Sequence, residues 1–153
     1  MTHYVPLLEF TSLQLFFCPR LFKKITRPLY SGKVPAGFPS PADDHIEREL
    51  DLHELLIEHP AATFYVRMAG ESLKNIGMLH GDILIVDRSL EARHHDIVVA
   101  VVNGEFTAKR LYCLNGVVEL HPENEHFKPI KINQDQDFQV WGVVIGSVRK
   151  LRF

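Results

Sequence analysis

The stretch that decides the fold is residues 97–111, which read IVVAVVNGEFTAKRL. Two runs rich in Ile, Val, Phe and Thr, at 97–102 and 105–111, are joined by Asn103-Gly104. Residues of these types favour strands, and Asn-Gly between two such runs is a strong signal for a β-hairpin. The sequence therefore predicts two antiparallel strands joined by a two-residue turn.

The same pattern continues on both sides of this hairpin, with Asn115-Gly116 as a second turn signal. Further strands are predicted at 63–69, 83–87, 117–121 and 138–149. Six or seven short strands with tight turns, and only one or two short helices, predict a mainly β domain built from a curled sheet.

One helix is predicted at 51–60. Asp51 can cap its first turn, Glu54 lies three residues later as in a capping box, and Pro60 ends it.

The first 44 residues differ from the rest, because they carry six of the nine prolines and show no helical or strand periodicity over any long window. We interpret this part of the chain as an arm. Prolines at 35, 39 and 41 surround Ala36-Gly37 and favour extended conformations there. Peptidase clefts bind extended chains.

Composition limits the function classes. The chain has 153 residues, 46% of them apolar and 24% charged, which fits one soluble globular domain with a short arm. Its net charge of -2 gives no overall positive field, so broad electrostatic binding to a nucleic-acid backbone is not expected from charge alone. We also expect no direct sequence-specific binding to DNA.

The cellular compartment is also constrained by the sequence. Cys18 and Cys113 lie far apart without CxxC spacing, which favours a reducing environment. The apolar stretch at 5–17 is interrupted by Pro6, Glu9 and Gln14 and is shorter than the ~20 residues of a membrane span. It also lacks the basic region of a secretory signal. We therefore expect a cytoplasmic protein with no membrane association.

Histidine is abundant, at nine residues, and His94-His95-Asp96 is the densest cluster of possible metal ligands. Adjacent strand residues point to opposite faces, so these two histidines share an ion poorly unless the chain bends sharply before Ile97. We expect no metal and no cofactor. Counting residues leaves a Ser-His-Asp triad open, but no GxSxG elbow is present to hold its serine.

Ser72 is the first candidate for chemistry. It follows the predicted strand 63–69, where the chain enters a turn or short helix, and its hydroxyl should be exposed beside free backbone amides. Such amides stabilise the oxyanion of acyl transfer. The alternative is that Ser72 only caps the short helix.

Lys109 is the second candidate, because strand alternation places it on the face of Thr107 and Leu111, where a lysine can be partly buried. The alternative is a solvent-facing lysine beside Arg110. Periodicity does not choose between the two faces, since each carries one cation.

Five passages, in this order and with matching spacing, resemble the UmuD and LexA family of self-cleaving SOS proteins. They are 37–42 (GFPSPA), 70–72 (GES), 81–87 (GDILIVD), 104–111 (GEFTAKRL) and 122–130 (PENEHFKPI). The similarity runs from about Pro28 to the C-terminus, and the joint occurrence is far more specific than any one passage.

The resemblance implies a serine-lysine peptidase with Ser72 as nucleophile, Lys109 as general base and Ala36-Gly37 as the scissile bond. It implies that residues 1–36 are an N-terminal arm removed by self-cleavage, and that residues 37–153 form the family's β-rich peptidase and dimerisation domain. The chain departs from the family at Leu73, where Met is usual; Leu is similar in volume. The resemblance does not extend to the first 25 or so residues, so it implies nothing about their role.

The resemblance also implies regulation and partners. A RecA filament on single-stranded DNA would stimulate the cleavage, and the shortened chain would form a homodimer. That dimer would join a UmuC-type Y-family DNA polymerase for error-prone synthesis past lesions.

Two other functions remain as alternatives. The first is the regulatory dimerisation domain of a LexA-like repressor that lacks its DNA-binding domain, since the 36-residue arm is too short for a helix-turn-helix domain. The second is a leader peptidase, which shares the serine-lysine chemistry and a related fold, although the expected absence of an anchor disfavours it. Ser72, Lys109 and an intact Ala36-Gly37 together argue against a catalytically silent family member.

Overall fold

The computed structural model describes residues 24–34 and 45–152. These residues form a mainly β protein, as predicted. In chain order the strands and the helix are β1 (Arg27–Tyr30), β2 (Ile46–Leu50), α1 (Leu52–Leu56), β3 (Thr63–Arg67), β4 (Ile83–Asp87), β5 (Ile97–Val102), β6 (Glu105–Leu114), β7 (Val117–His121), β8 (Ile130–Ile132) and β9 (Phe138–Val148). A 3-10 turn at Lys74–Ile76 lies between β3 and β4.

One seven-stranded sheet dominates this part of the chain, in the order β3-β4-β9-β5-β6-β7-β8, and each pair is antiparallel. The predicted β5–β6 hairpin is confirmed. Asn103 and Gly104 both have positive φ, at 50° and 84°, as a two-residue hairpin turn of the primed type requires. Asn115 and Gly116 have the same property in the turn between β6 and β7.

Two apolar clusters form the core. The first contains Met68, Leu73, Leu84, Val86, Ile97 and Val99, and the second contains Val98, Ala100, Leu111 and Leu120. Successive residues of β5 therefore alternate between the two clusters. Because both faces of β5 are covered, its sequence is apolar throughout and does not alternate with polar residues.

The helix α1 begins where the sequence predicts. The Asp51 carboxylate accepts hydrogen bonds from the amides of His53 (2.8 Å) and Glu54 (3.3 Å). The helix ends at Leu56, before the predicted stop at Pro60. The Glu54 carboxylate forms an ion pair with Lys24, which belongs to the arm.

Three strands were not predicted. β1 and β2 form a separate two-stranded antiparallel sheet, so the arm is not without regular structure. Both strands are largely exposed, and for that reason they show no apolar alternation in the sequence. β8 has only three residues. Tyr30 and Ile46 are paired across these two strands, so the chain between them forms a connection that starts and ends at the same point of the sheet. This connection contains Ala36 and Gly37, which lie outside the described residues.

Candidate active site

Ser72 lies in the turn between β3 and the 3-10 turn. Gly70, with φ of 81°, reverses the chain just after β3, and its amide donates to Nδ1 of His80 (3.2 Å). The side chain of Leu73 is fully buried in the first core cluster and anchors this turn. Leucine therefore fills the position at which the family usually has methionine.

The Ser72 hydroxyl points toward β6. Its Oγ donates to the carbonyl oxygen of Ala108 on β6, at 3.4 Å. The interpretation of Ser72 as a helix cap is wrong, because Leu73 occupies the position before the 3-10 turn and no side chain caps it. The expectation of an exposed hydroxyl is also wrong, since Ser72 is only 7% exposed.

Lys109 lies on β6 beside that same carbonyl. Its Nζ donates to Oγ1 of Thr107 (2.9 Å) and to the carbonyl oxygen of Ala108 (3.3 Å). The contact with Thr107 confirms that these two side chains share one side of the strand. Arg110 instead forms an ion pair with Glu123.

Burial lowers the pKa of Lys109 from its ordinary value near 10.5. Removing an ammonium from water disfavours its charged form, and within the described residues no carboxylate pairs with Lys109 to oppose that effect. The alternative of a fully solvent-facing lysine is therefore wrong. A lysine whose pKa is lowered can act as a base closer to neutral pH.

The two candidate side chains line one cleft of about 190 Å³. The cleft is bounded by the end of β3 and the turn after it, by β6, and by single residues of β4 and β5. The lining residues are Val66, Arg67, Met68, Ala69, Ser72, Leu84, Val99, Phe106, Thr107, Ala108 and Lys109. Walls that are mostly apolar lower the local dielectric constant, which strengthens electrostatic interactions with a bound chain.

The backbone amides beside Ser72 are available for a ligand. In the described part of the chain, no acceptor contacts the amide of Glu71 or that of Ser72. Unpaired amides next to a buried serine fit the requirement for an oxyanion site. Sequence reasoning identified these amides but missed Thr107 as the partner of Lys109, although strand alternation had already placed it on the same side.

The other candidates for chemistry are arranged differently. The chain bends sharply at His95 (φ 75°), so the rings of His94 and His95 lie 3.9 Å apart instead of on opposite faces. Among the described residues, no group of three or more His, Cys, Asp and Glu side chains is placed to hold a metal ion.

A serine, a histidine and an aspartate do meet at Asp87. Ser89 Oγ (2.6 Å) and His59 Nδ1 (2.7 Å) both bind its carboxylate. Because the serine bonds to the aspartate and not to the histidine, this is not the relay of a catalytic triad.

None of the helical segments in residues 24–34 and 45–152 has the length and apolar character needed to cross a bilayer.

Comparison with known proteins shows the family of the chain. The family described as Peptidase S24-like matches residues 28–145. Protein ImpA of Escherichia coli is 53% identical over 128 residues, which are 82% of this chain and 86% of that protein. Protein MucA of Escherichia coli is 45% identical over 123 residues (79% and 83%). The LexA repressor of Colwellia psychrerythraea is 38% identical over 151 residues (98% and 71%). This similarity extends into the first 25 or so residues, which the family resemblance in the sequence did not cover.

Proposed function

This chain belongs to the Peptidase S24-like family of self-cleaving serine peptidases, among its UmuD-like members, and on that basis we propose that it cuts its own backbone between Ala36 and Gly37. Ser72 is the nucleophile and Lys109 the general base. The observation that carries this proposal is the convergence of the Ser72 hydroxyl and the Lys109 amine on the carbonyl oxygen of Ala108 inside one cleft.

The chemistry follows from these groups. Neutral Lys109 accepts the Ser72 proton while Oγ attacks the carbonyl carbon of Ala36. The oxyanion formed on Ala36 accepts hydrogen bonds from the amides of Glu71 and Ser72. When it collapses, the bond to the Gly37 nitrogen breaks and the Lys109 ammonium protonates that leaving nitrogen. A water molecule, deprotonated by Lys109, then hydrolyses the Ser72 ester and leaves a carboxylate on Ala36.

The protonation state of Lys109 predicts that this reaction is slow when nothing assists it. A lysine with the ordinary pKa of about 10.4 is neutral in only ~0.04% of molecules at pH 7. Burial of Lys109 already lowers its pKa. Docking of the 35–39 segment over the cleft would exclude more water and lower the pKa of Lys109 further.

Regulation and partners follow from membership of the UmuD-like group. A RecA filament on single-stranded DNA would favour the arm position in which Ala36-Gly37 reaches Ser72, which is a shift of population. The product, residues 37–153, would form a homodimer in the cytoplasm and join a UmuC-type Y-family DNA polymerase. Identity of 53% with Protein ImpA over most of the chain supports this role in SOS mutagenesis.

The test is to incubate the purified full-length chain at pH 7 and at about pH 10, and to measure fragment masses over time. Parallel samples at pH 7 contain RecA filaments on single-stranded DNA. We expect a fragment that begins at Gly37, formed faster at pH 10 and faster with RecA. Ser72→Ala and Lys109→Ala should yield none.

Two results would overturn the proposal. If the wild-type chain stays intact under all three conditions, the chain is not a self-cleaving peptidase. If the variants are cut as fast as the wild type, Ser72 and Lys109 are not its catalytic residues.

A second candidate is a regulatory dimerisation domain of the LexA type, favoured by the match to a LexA repressor over 98% of this chain. It predicts that the uncut chain associates with a LexA-type repressor and not with a UmuC-type polymerase. Co-purification of the chain with each partner would separate the two functions.

A further inference from the structure

The segment after β7 packs behind the turn that carries Ser72. Asn124 is a polar residue with only 6% exposure, and its Nδ2 donates to the carbonyl oxygen of Glu71 at 2.8 Å. Its Oδ1 accepts from the amide of His126 at 3.1 Å. The two contacts fix which atom of the side chain is Nδ2 and which is Oδ1, because the Glu71 carbonyl oxygen can only accept and the His126 N–H can only donate.

The contact with Glu71 also orients Ser72. The peptide bond between them is trans, since the described residues contain no cis peptide. The C=O and N–H of a trans peptide are fixed in one plane and point in opposite directions. The same carbonyl oxygen also accepts from the amide of Lys74, at 3.2 Å. Asn124 makes the shorter of these two contacts, and holding the Glu71 carbonyl toward Asn124 turns the Ser72 N–H away from it.

The opposite side of that peptide is the cleft. Ser72 lines the cleft, whereas Asn124 does not. Within the ranges that the structure describes, no acceptor contacts the Ser72 amide. The next peptide is held as well, because the amide of Glu123 donates to the Ser72 carbonyl oxygen at 2.7 Å.

The segment after β7 also contacts β6, the strand that carries Lys109. Arg110 pairs with Glu123, and the following residue is Asn124. Neighbouring strand residues point to opposite sides, so β6 presents Lys109 to the cleft and Arg110 to the segment behind the turn. One strand thus sets the positions of the base and of the residues that hold the nucleophile's backbone.

We propose that Asn124 is a positioning residue for the self-cleavage, which aims the Ser72 N–H into the cleft as a donor to the oxyanion. This rests on the proposed function, because an oxyanion forms only if Ser72 attacks a carbonyl. Asn124 does not contact the reacting atoms, and it acts through the Glu71–Ser72 peptide.

The test is the rate of self-cleavage of full-length Asn124→Ala between pH 5 and 11, compared with wild type. An oxyanion donor is worth about 10²- to 10³-fold in rate. Asn124→Ala changes the orientation of the Ser72 N–H but does not remove it. We therefore expect the plateau rate at high pH to fall by about 10- to 100-fold. The pH midpoint should not move, since Asn124 does not contact Lys109.

Asn75→Ala is the matched control. It removes an exposed amide of the same turn, which bonds to Glu125 (2.9 Å) and not to Glu71; we expect a rate within about twofold of wild type. The fluorescence of Trp141, the single tryptophan, shows whether each variant is folded at the assay temperature. If Asn124→Ala is not, Asn124→Leu replaces it, because leucine keeps the volume and lacks the donor.

The outcomes separate the two proposals. A folded Asn124 variant with a plateau within threefold of wild type, or with an unchanged plateau and a shifted midpoint, would overturn the positioning role alone. Absence of cleavage in the wild type, or equal cleavage in Ser72→Ala, would instead remove the proposed function.

Discussion

At the scale of single residues, the site depends on what burial does to one lysine. Lys109 has a hydroxyl and a carbonyl as acceptors and, among the described residues, no carboxylate partner. Burial therefore raises the free energy of its charged form, and a larger fraction of Lys109 is neutral at a given pH than for a lysine in water. Under the proposed mechanism, catalysis and stability are therefore opposed at this position.

Lys109→Met should stabilise the folded chain at pH 7. Because the pKa of Lys109 is lower in the folded chain than in the unfolded chain, the unfolded chain binds more protons between those two values. Wild-type stability therefore rises with pH in that window, and the advantage of the methionine variant shrinks toward pH 10.4. We expect Tm at pH 7 to rise by about 2–4 °C, equivalent to roughly 1 kcal/mol.

The measurement is thermal unfolding followed by Trp141 fluorescence, with Ser72→Ala in every chain so that none is cut at high pH. Lys131→Met is the control, since that side chain is 78% exposed. It should change Tm little at any pH. A methionine variant that is less stable than wild type at pH 7, or a difference that does not vary with pH, would contradict the account of Lys109.

How much of the site was predictable differs from residue to residue. Ser72 and Lys109 were identified from local patterns and a family resemblance, but neither pattern decided burial. The hydroxyl of Ser72 is buried because Leu73 enters the core and Ala108 approaches from another strand. Such long-range contacts leave no periodic trace in the sequence. Asn124 was quoted only as part of a motif, for the same reason.

At the scale of elements, strands β4, β5, β7 and β6 begin where the sequence predicts, because turns and β-branched runs are local signals. β1 and β2 were not predicted, because two exposed strands can pair without alternating apolar residues.

The distance between neighbouring strands is also set by tertiary structure. β9 has an irregularity in its pairing with β5, between Val99 and Ala100, and Gly142 lies there opposite Val99.

Gly142→Ala should destabilise the fold. A Cβ there would lie 2.6 Å from Cγ1 of Val86 and 2.9 Å from the carbonyl oxygen of Asp87, so β4 and β9 would have to separate. Overpacking of this kind costs about 1–3 kcal/mol. Urea unfolding should give that loss in the free energy of unfolding.

Gly146→Ala is the control on the same strand. Its Cβ would meet Cδ1 of Ile85 at 3.5 Å and Cδ2 of Leu56 at 3.7 Å, which are ordinary contacts. We expect a change within about 0.5 kcal/mol. Equal losses for the two alanine variants would show that the close approach of β4 and β9 at Gly142 is not a constraint.

At the scale of the whole molecule, the site exists because the sheet curls. β3 and β6 are four steps apart in the sheet, which in a flat sheet is about 19 Å at ~4.8 Å per strand. Nevertheless Ser72, which follows β3, bonds to Ala108 on β6. The curled sheet was predicted as a class, but the sequence contains no measure of its curvature.

Self-cleavage would also change the molecule beyond the cut. β1 lies before Ala36-Gly37 and β2 after it, and residues 31–45 join them covalently. An isolated two-stranded sheet is only marginally stable. Breaking the connection would therefore allow β1 to separate, and the backbone edge of β2 that pairs with β1 would lose its partner.

The most direct test of the serine-lysine mechanism is the rate of appearance of the fragment that begins at Gly37, measured from pH 5 to 11 in wild type and Lys109→Ala. The account predicts that the wild-type rate rises to a plateau with a midpoint below about 10.4, the ordinary lysine value. Lys109→Ala should lack this titration and be at least ~100-fold slower at the plateau. A rate that climbs without a plateau and is the same in both chains would contradict it.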